Sequence, residues 1–473
     1  MFNKIQMKFL NLFILNFILF FNAYSQNSIP VIKASYNRAS LRENNIIRKD
    51  SWRILPELKP DVWNVIVPKG SKKRVTFITD IDSISYLLKS DTSYNFLVLL
   101  NNTDSAYTRI STHPEAAIFN NDYIRLHNNK TIIEIPEVYE LVNIIFSLTN
   151  IGLDDRRISN FETIYYKDFL KWFSLFKKEK IVLVFDSIIQ KDFNKYYAIT
   201  QDAYSYFIIN GKITKSKTYE RFNDGFVNTF TPYIKEIEDF YHASKFKNFY
   251  ISHRDLYDAQ IKYFKDSVNV PQMQKWLNKN FPTTKYNCFK LIFSQIASNP
   301  ALGNYFENNN FKEAVIFANF TSPYKLDILN PSELNKLYNG NEVFIEFNYA
   351  FIISEARKFL KGDDYKLAFK DLNLWVDDSS ISIFKYTNTF SCLIIYMSKA
   401  LVSLRYIDID SIDEANKWIK KNEKYQKEIH GLKKFPEFNK NLILLYKNRK
   451  TGETIADLFP SILKWCRESK EFH

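Results

Sequence analysis

The hydrophobic pattern of the chain changes its period once, and this change limits the possible fold classes. Val75–Tyr86 and Tyr94–Ile110 are rich in β-branched and aromatic residues, alternate in part and are broken by turn residues, as antiparallel strands are. From Glu137 onward, apolar residues recur with the period of a helix. The sequence therefore predicts an α+β protein, with a small N-terminal antiparallel β-unit, a mainly helical body and an all-helical C-terminal region.

Individual elements follow from the same periodicity. Pro136 opens a predicted helix over Glu137–Thr149, since proline is well placed at a helix start. Tyr166–Lys180 is predicted to be a strongly amphipathic helix. Tyr204–Lys212 is predicted to be a strand followed by a turn, and a helix is expected over about Lys217–Phe240, bent near its proline.

These patterns divide the chain into five segments. The predicted segments are a signal peptide (1–25), a polar and loosely ordered linker (26–50), the β-unit (51–115), an α+β domain (130–300) and a helical C-terminal region (301–473). The helical region shows no defensible repeat period, so a non-repetitive bundle is expected.

The N-terminus has the pattern of a secretory signal. Lys4 and Lys8 precede an apolar run over Phe9–Phe21, and Ala23 and Ser25 supply small residues for cleavage. We expect cleavage near Ser25 and an exported protein that is periplasmic, on the cell surface or secreted; a retained N-terminal anchor is the alternative. No later apolar stretch is judged to reach membrane length, so no transmembrane segment is expected after cleavage.

The charge and the cysteine content of the chain exclude several classes of protein and of metal site. Without the signal, 63 basic residues face 52 acidic ones, and this diffuse net charge of +11 suits anionic surfaces or acidic polymers, or reflects basicity without a partner. No nucleic-acid-binding motif is found, so no nucleic-acid partner is expected. Cys288, Cys392 and Cys466 are too few for a disulfide scaffold or a four-thiolate zinc site, and at most one disulfide is expected.

The segment Glu220–Asn228, E-R-F-N-D-G-F-V-N, raises the question of a metal site. In the predicted helix, Glu220 and Asp224 stand four residues apart on one face. Zinc peptidases use this spacing for two histidines in H-E-x-x-H, with the glutamate as the general base.

This segment resembles the zincin-like helix of an exported bacterial family classed as a domain of unknown function, whose pattern is H-E-F-(N/S)-H-(G/S)-F-V-N. Phe222, Asn223, Gly225 and Phe226–Asn228 fit that pattern. Weaker similarity extends to the segments beginning at Glu140 and Tyr165, to Leu444–Ile462 and to the β-unit. The resemblance implies a zincin-like body for residues 130–300 and zinc in the family's active members.

The positions that carry the family's chemistry are replaced here. Glu220 and Asp224 stand at the two histidines, and Arg221 stands at the general base, where a permanent cation cannot accept a proton. A third ligand was sought in a predicted helix over Lys285–Ile296, which offers only Asn287 and Cys288. No catalytic residue and no zinc are therefore expected; any ion held by Glu220 and Asp224 would be a harder one, such as Ca²⁺ or Mg²⁺.

Other candidate sites are weaker. Asp80 and Asp82 form a D-x-D that is expected to be a strand-end turn rather than a calcium site. His242 and His253 are eleven residues apart and could share a helix face, but surface roles are favoured over metal binding for both. The chain contains no G-x-S-x-G, P-loop or G-x-G-x-x-G motif.

The sequence thus predicts an exported, catalytically inactive relative of a zinc metallopeptidase. It would bind a peptide, glycan or protein partner in a groove beside the Glu220–Asp224 helix. The first alternative is an active exported metal-dependent hydrolase with a non-standard carboxylate site, and the second is a structural surface protein.

Overall fold

The structure is a computed structural model. It describes residues 29–44, 46–101, 104–161, 163–223, 225–297, 302–318, 333–358, 369, 371–377 and 389–469. The predicted signal segment, residues 1–25, lies outside these residues. The chain divides into two compact units, one ending at Glu115 and the other beginning at Ala116.

The first unit consists of strands. They are β1 (Val31–Ala34), β2 (Arg38–Glu43), β3 (Ile46–Arg53), β4 (Asp61–Ile66), β5 (Lys72–Ile78), β6 (Ser83–Lys89), β7 (Ser93–Leu100) and β8 (Asp104–His113). They form two four-stranded sheets, in the orders β1-β7-β8-β4 and β3-β2-β5-β6. Strands β1 and β7 pair in parallel, as do β4 and β8, so the predicted purely antiparallel unit is wrong in this detail.

The two sheets share one hydrophobic core because their strands alternate between buried and exposed residues. Phe77 of β5 lies between Trp63 of β4 and Phe96 of β7, at ring-centroid distances of 4.7 and 5.0 Å, both edge-on. The prediction of a polar linker over 26–50 is wrong, because this segment contains strands in which polar residues alternate with buried ones. Strands β1, β2 and most of β3 lie in it. In β1 and β2, exposed residues alternate with buried ones, which include Ile32 and Leu41.

The turn between β5 and β6 contains the D-x-D pair, as predicted. Thr79 donates its hydroxyl to the carbonyl of Asp82, and Asp80 accepts a hydrogen bond from the backbone N–H of Ser35 at 2.9 Å. Asp80 therefore helps to tie the turn to the loop after β1.

The second unit combines helices with a small sheet. Its helices are α1 (Asn121–His127), α2 (Glu137–Ser147), α3 (Ile164–Phe173), α4 (Lys180–Lys191), α5 (Asn194–Ala203), α6 (Ile234–Ala243), α7 (Phe246–Ser252), α8 (Arg254–Lys262), α9 (Val270–Asn280), α10 (Glu333–Arg357), α11 (Thr389–Ile409), α12 (Ile412–Glu428), α13 (Phe435–Lys447) and α14 (Phe459–Glu468). Its strands are β9 (Lys130–Glu134), β10 (Tyr206–Ile209), β11 (Lys212–Lys215), β12 (Cys288–Ile292), β13 (Leu302–Asn308) and β14 (Phe311–Phe317).

The sheet of this unit has the order β13-β14-β12-β9, with β9, β12 and β14 parallel and β13 antiparallel to β14. Two predictions are wrong here. Lys285–Ile296 contains strand β12 rather than a helix, because a strand buried on both faces has the same continuous apolar pattern as a buried helix. The region 301–473 is not all-helical, because it begins with the β13–β14 hairpin.

Several predicted elements are confirmed. Helix α2 occupies its predicted segment. Helix α3 confirms the predicted amphipathic helix in its first half only, because it ends at Phe173 and a separate helix, α4, begins at Lys180. Strand β10 and the turn after it are as predicted, whereas β11 was not predicted. The predicted helix over Lys217–Phe240 is wrong in its first half: the described residues from Ser216 to Phe230 contain no helix, a 3₁₀ turn spans Thr231–Tyr233, and α6 begins at Ile234.

One stretch of the described chain, Phe390–Ile409, forms a helix long and apolar enough to cross a membrane, with a mean hydropathy of 1.4. The prediction that no later stretch reaches membrane length is therefore wrong by length and composition. This stretch belongs to α11, and 78% of its most apolar part is buried inside the protein. Helix α11 packs against α10, α12 and α13.

Replacing Phe77 with alanine should destabilise the β-unit by about 3–5 kcal/mol, because the cavity left between the two sheets cannot fully close. Denaturant unfolding of the full chain measures this change. Leu87→Ala is the control, since Leu87 is 50% exposed and its loss should change stability by less than about 0.5 kcal/mol. Equal effects of the two substitutions would contradict the shared core.

Candidate functional site: the motif loop and the sheet face beneath it

The segment that resembles the zincin helix is an irregular loop, which we call the motif loop, residues 216–230. It connects β11 to the 3₁₀ turn before α6. Its course is fixed by the carboxylate of Asp202, a fully buried residue in the last turn of α5.

Asp202 accepts hydrogen bonds from the middle and from the end of the motif loop. Its Oδ1 accepts the backbone N–H groups of Phe222, at 2.6 Å, and Asn223, at 3.1 Å. Its Oδ2 accepts the backbone N–H of Thr229, at 2.5 Å, the Thr229 hydroxyl, at 2.8 Å, and the side-chain amide of Asn223. Amide groups bound to this carboxylate are not available for helical hydrogen bonds, so the loop cannot adopt the predicted helix.

Asn228 fixes the end of the loop. Its side-chain amide donates to the carbonyl of Glu220 at 2.9 Å, while its Oδ1 accepts the backbone N–H groups of Phe230 and Thr231, both at 3.1 Å. This is the behaviour of a capping asparagine at the start of a helical turn. The residues Asn223-Asp224-Gly225, together with Asn228 before a helical pattern, are the sequence signal for a turn that helical periodicity concealed.

The predicted metal positions have structural partners within the chain. Glu220 forms an ion pair with Lys215 at 2.5 Å. Arg221 is 5% exposed and donates its Nε hydrogen to the carbonyl of Gly225 at 2.7 Å. Asp224 lies outside the described residues, so its relation to Glu220 is not observed.

The expected source of a third ligand has a different structure. Asn287 uses its side-chain oxygen to accept the backbone N–H of Lys312 at 2.9 Å, which ties β12 to β14. Cys288 is fully buried in β12, and all three cysteines are free and buried. Among the residues that the structure describes, no group of three histidine, cysteine or acidic side chains is arranged to hold a metal ion.

Beneath the motif loop, the face of the β9–β12–β14 sheet carries a buried polar network. Tyr219, at the start of the loop, accepts a hydrogen bond from the ammonium group of Lys290 at 2.8 Å. Tyr219 and Tyr123 both donate their hydroxyls to Glu313, Tyr123 at 2.7 Å, and the two hydroxyls lie 2.5 Å apart. Lys290 lies 3.8 Å from Glu313, and both residues are buried.

The charged groups and the hydroxyl groups of this network interact with one another. Burial raises the pKa of Tyr123 and Tyr219, so both phenols stay protonated and act as donors to Glu313. The Lys290 ammonium also lies over the rings of Tyr219 and Tyr123, at 5.1 and 5.2 Å from their centroids. Burial raises the pKa of the Cys288 thiol beside the network, which keeps it a poor nucleophile.

Aromatic packing seals the loop onto the sheet. Phe222 lies 5.1 Å from Phe306, 5.1 Å from Tyr204 and 5.5 Å from Phe317, measured between ring centroids. Tyr204 in turn donates its hydroxyl to Glu134 at the end of β9. The side chains of Tyr219 and Phe222 thus occupy the sheet face beside Glu220, where a groove was predicted.

Sequence reasoning missed a second buried cluster, which joins two of the segments with weak family similarity. Tyr165 donates its hydroxyl to Glu140 at 2.6 Å, and Tyr257 of α8 lies 2.7 Å from the same hydroxyl. Glu140 also accepts the backbone N–H of Gln295 at 3.1 Å. Burial raises the pKa of Glu140, which is fully enclosed. A glutamate within an otherwise apolar helical pattern was the available signal.

Two open cavities of about 640 and 630 Å³ lie among the C-terminal helices. Their sizes fall in the range of small-molecule sites, roughly 300–1,000 Å³. One is bordered by α13 and α14, and the other by the ends of α9, α11 and α13 and the turn that follows α13.

Comparison of the chain with protein-family models, with curated proteins and with solved structures finds no match. The zincin resemblance of the motif loop therefore stays a hypothesis.

Replacing Asp202 with asparagine should destabilise the protein by about 2–4 kcal/mol, because an amide nitrogen cannot accept the N–H groups that one carboxylate oxygen now binds. Thermal or denaturant unfolding measures the loss, and hydrogen exchange should show faster exchange at Phe222 and Thr229. Asp192→Asn is the control, since exposed Asp192 accepts one local hydrogen bond from Asn194. Unchanged exchange in the motif loop would contradict its dependence on Asp202.

Proposed function

We propose that this chain is an exported protein that does not hydrolyse peptides and that acts by binding a peptide, glycan or protein partner. The observation that carries the proposal is that Glu220 and Arg221 have structural partners inside the fold. In the family that the motif loop resembles, the corresponding residues bind zinc and activate water.

The role of Arg221 is the strongest support. Its guanidinium is buried and spans the loop to the carbonyl of Gly225, so it acts as a brace for the loop. An arginine remains protonated at every accessible pH, and a buried cation that loses its acceptor costs several kcal/mol. Reorienting Arg221 toward a bound water would therefore be costly and would still supply no base.

The polar network under the motif loop also supports a protein that does not hydrolyse peptides. A catalytic group needs a free lone pair or proton directed toward substrate, whereas Lys290, Glu313 and Tyr219 satisfy one another beneath a sealed loop. These contacts resemble those of a structural clamp that keeps a former active-site segment in place.

A binding role needs a surface for a ligand, and the helical region offers two cavities of suitable volume. The diffuse positive charge of the chain adds a long-range attraction for anionic partners. The alternative of an active hydrolase requires Glu220 to exchange Lys215 for a metal ion and requires Asp224 to complete the site.

The test is a parallel measurement of metal content and hydrolysis on the purified full chain. We expect no stoichiometric zinc by elemental analysis and no cleavage of casein or peptide libraries with added Zn²⁺, Ca²⁺ or Mg²⁺. Glu220→Ala should leave both results unchanged and should cost less than about 1 kcal/mol, as loss of a partly exposed ion pair does.

Zinc bound at one equivalent, together with peptide cleavage that Glu220→Ala abolishes, would overturn the proposal. Glu428→Ala is the matched control, because it removes an exposed helical glutamate whose contact with Lys424 is also an ion pair.

A further inference from the structure

The cavity of about 630 Å³ has an unusual distribution of charge. It is bordered by Lys279 and Asn280 at the end of α9, by Ile407 and Asp408 in α11, and by residues from Tyr446 to Thr454 at the end of α13 and in the following turn. This last wall lies within the segment Leu444–Ile462.

The two acidic residues of the cavity are already engaged. Asp408 accepts the indole N–H of Trp276 at 2.8 Å and the hydroxyl of Tyr446 at 2.5 Å. Glu453 accepts the backbone N–H of Lys450 at 2.7 Å, which closes the turn after α13. Burial raises the pKa of Tyr446, so its phenol remains a donor to Asp408.

The cations of the cavity retain free donors. The guanidinium carbon of Arg449 lies over the ring of Tyr446, 3.6 Å from the ring centroid, and Nη1 donates one hydrogen to the Tyr446 carbonyl at 2.7 Å. This cation–π contact and this hydrogen bond hold the guanidinium at the cavity and leave its other N–H groups for a ligand. Lys279, Lys447 and Lys450 have no ion-pair partner among the described residues.

The charges in the cavity remain positive after the helix ends are counted. Four cations face two carboxylates, and the C-terminal ends of α9, α11 and α13 each add roughly half a negative charge. The remainder is roughly half a positive charge, and it lies on side chains that can move toward a ligand. An anionic ligand is therefore favoured over a neutral or cationic one.

The other cavity lacks this feature. Its two lysines, Lys433 and Lys434, donate to the backbone carbonyls of Asn373 and Ser469 at 2.8 and 3.0 Å. Glu437 and Glu468 offset their charge. Of the two, only the cavity at the end of α13 combines spare cations with engaged acids.

We propose that the cavity at the end of α13 binds an acidic carbohydrate, a polyhydroxylated ligand that carries carboxylate or sulfate groups. A stacked arginine suits the planar fork of a carboxylate and also binds sulfate. The lining also contains the uncharged polar residues Asn280, Thr451 and Thr454, which can hydrogen-bond to the hydroxyl groups of a carbohydrate. This inference rests on the proposed binding function and names its ligand class.

The test uses the full chain and four probes: oligogalacturonate, a sulfated heparin oligosaccharide, neutral dextran and polyglutamate. Calorimetry should show binding of one or both acidic carbohydrates, weakened by added salt, and no binding of dextran or polyglutamate. Arg449→Gln and Lys447→Glu should each weaken binding about tenfold or more, the value of one charge-assisted hydrogen bond.

Lys427→Glu is the matched control, because Lys427 also lies in the last turn of an exposed helix, α12, but does not line the cavity. It should leave affinity unchanged and should match Lys447→Glu in thermal stability. Equal losses of binding in these two variants, absence of binding, or equal binding of polyglutamate would overturn the proposed site.

Release of reducing ends and of peptide fragments is followed in the same samples. If a probe or a peptide is cleaved while binding remains intact and depends on Arg449, the proposed non-catalytic function is contradicted and the carbohydrate site is supported. If no acidic carbohydrate binds and nothing is cleaved, the carbohydrate site is contradicted and the proposed non-catalytic function is not.

Discussion

The buried carboxylate of Asp202 is the group on which the arrangement of the motif loop depends. It replaces the backbone partners that a helix would supply to Phe222, Asn223 and Thr229. Because a buried charge is stable only when it is well hydrogen-bonded, the carboxylate and the loop amides stabilise each other. The loop conformation then places Tyr219 and Phe222 on the sheet, where Lys290 and Glu313 are buried.

A second constraint comes from the parallel sheet under the loop. Lysine and glutamate side chains on β12 and β14 share the face that the loop covers, and neither could be buried there alone. The hydroxyls of Tyr123 and Tyr219 supply the remaining hydrogen bonds, so the polar groups form one satisfied network. The segment that looks most like a catalytic motif thus packs Tyr219 and Phe222 into the core and leaves Phe226 and Val227 exposed, while the two cavities described above lie among helices.

How far sequence patterns predicted this structure depended on burial. Helix α3 has one buried face and one exposed face, so its periodicity was readable. Helix α2 is buried on nearly all sides, and its length and the proline at its start indicated a helix. Strand β12 is buried on both faces and was mistaken for a helix. Strands β1 and β2 were mistaken for a linker, because short strands with polar outer residues resemble polar coil. The motif loop was mistaken for a helix because Phe222, Phe226 and Phe230 repeat at helical spacing.

By itself, the sequence determined the α+β class, the change from strands to helices, and the identity of Glu220, Arg221 and Asp224 at the positions where the zincin-like pattern that it resembles has histidine, glutamate and histidine. Those properties follow from local periodicity and from the chemistry of single side chains. Only the tertiary structure decided that Asp202 organises the motif loop, that Tyr219 reaches Lys290, and that Arg449 and Lys279 border one cavity. These relations join residues far apart in the chain, and no local pattern encodes which distant donor will meet which acceptor.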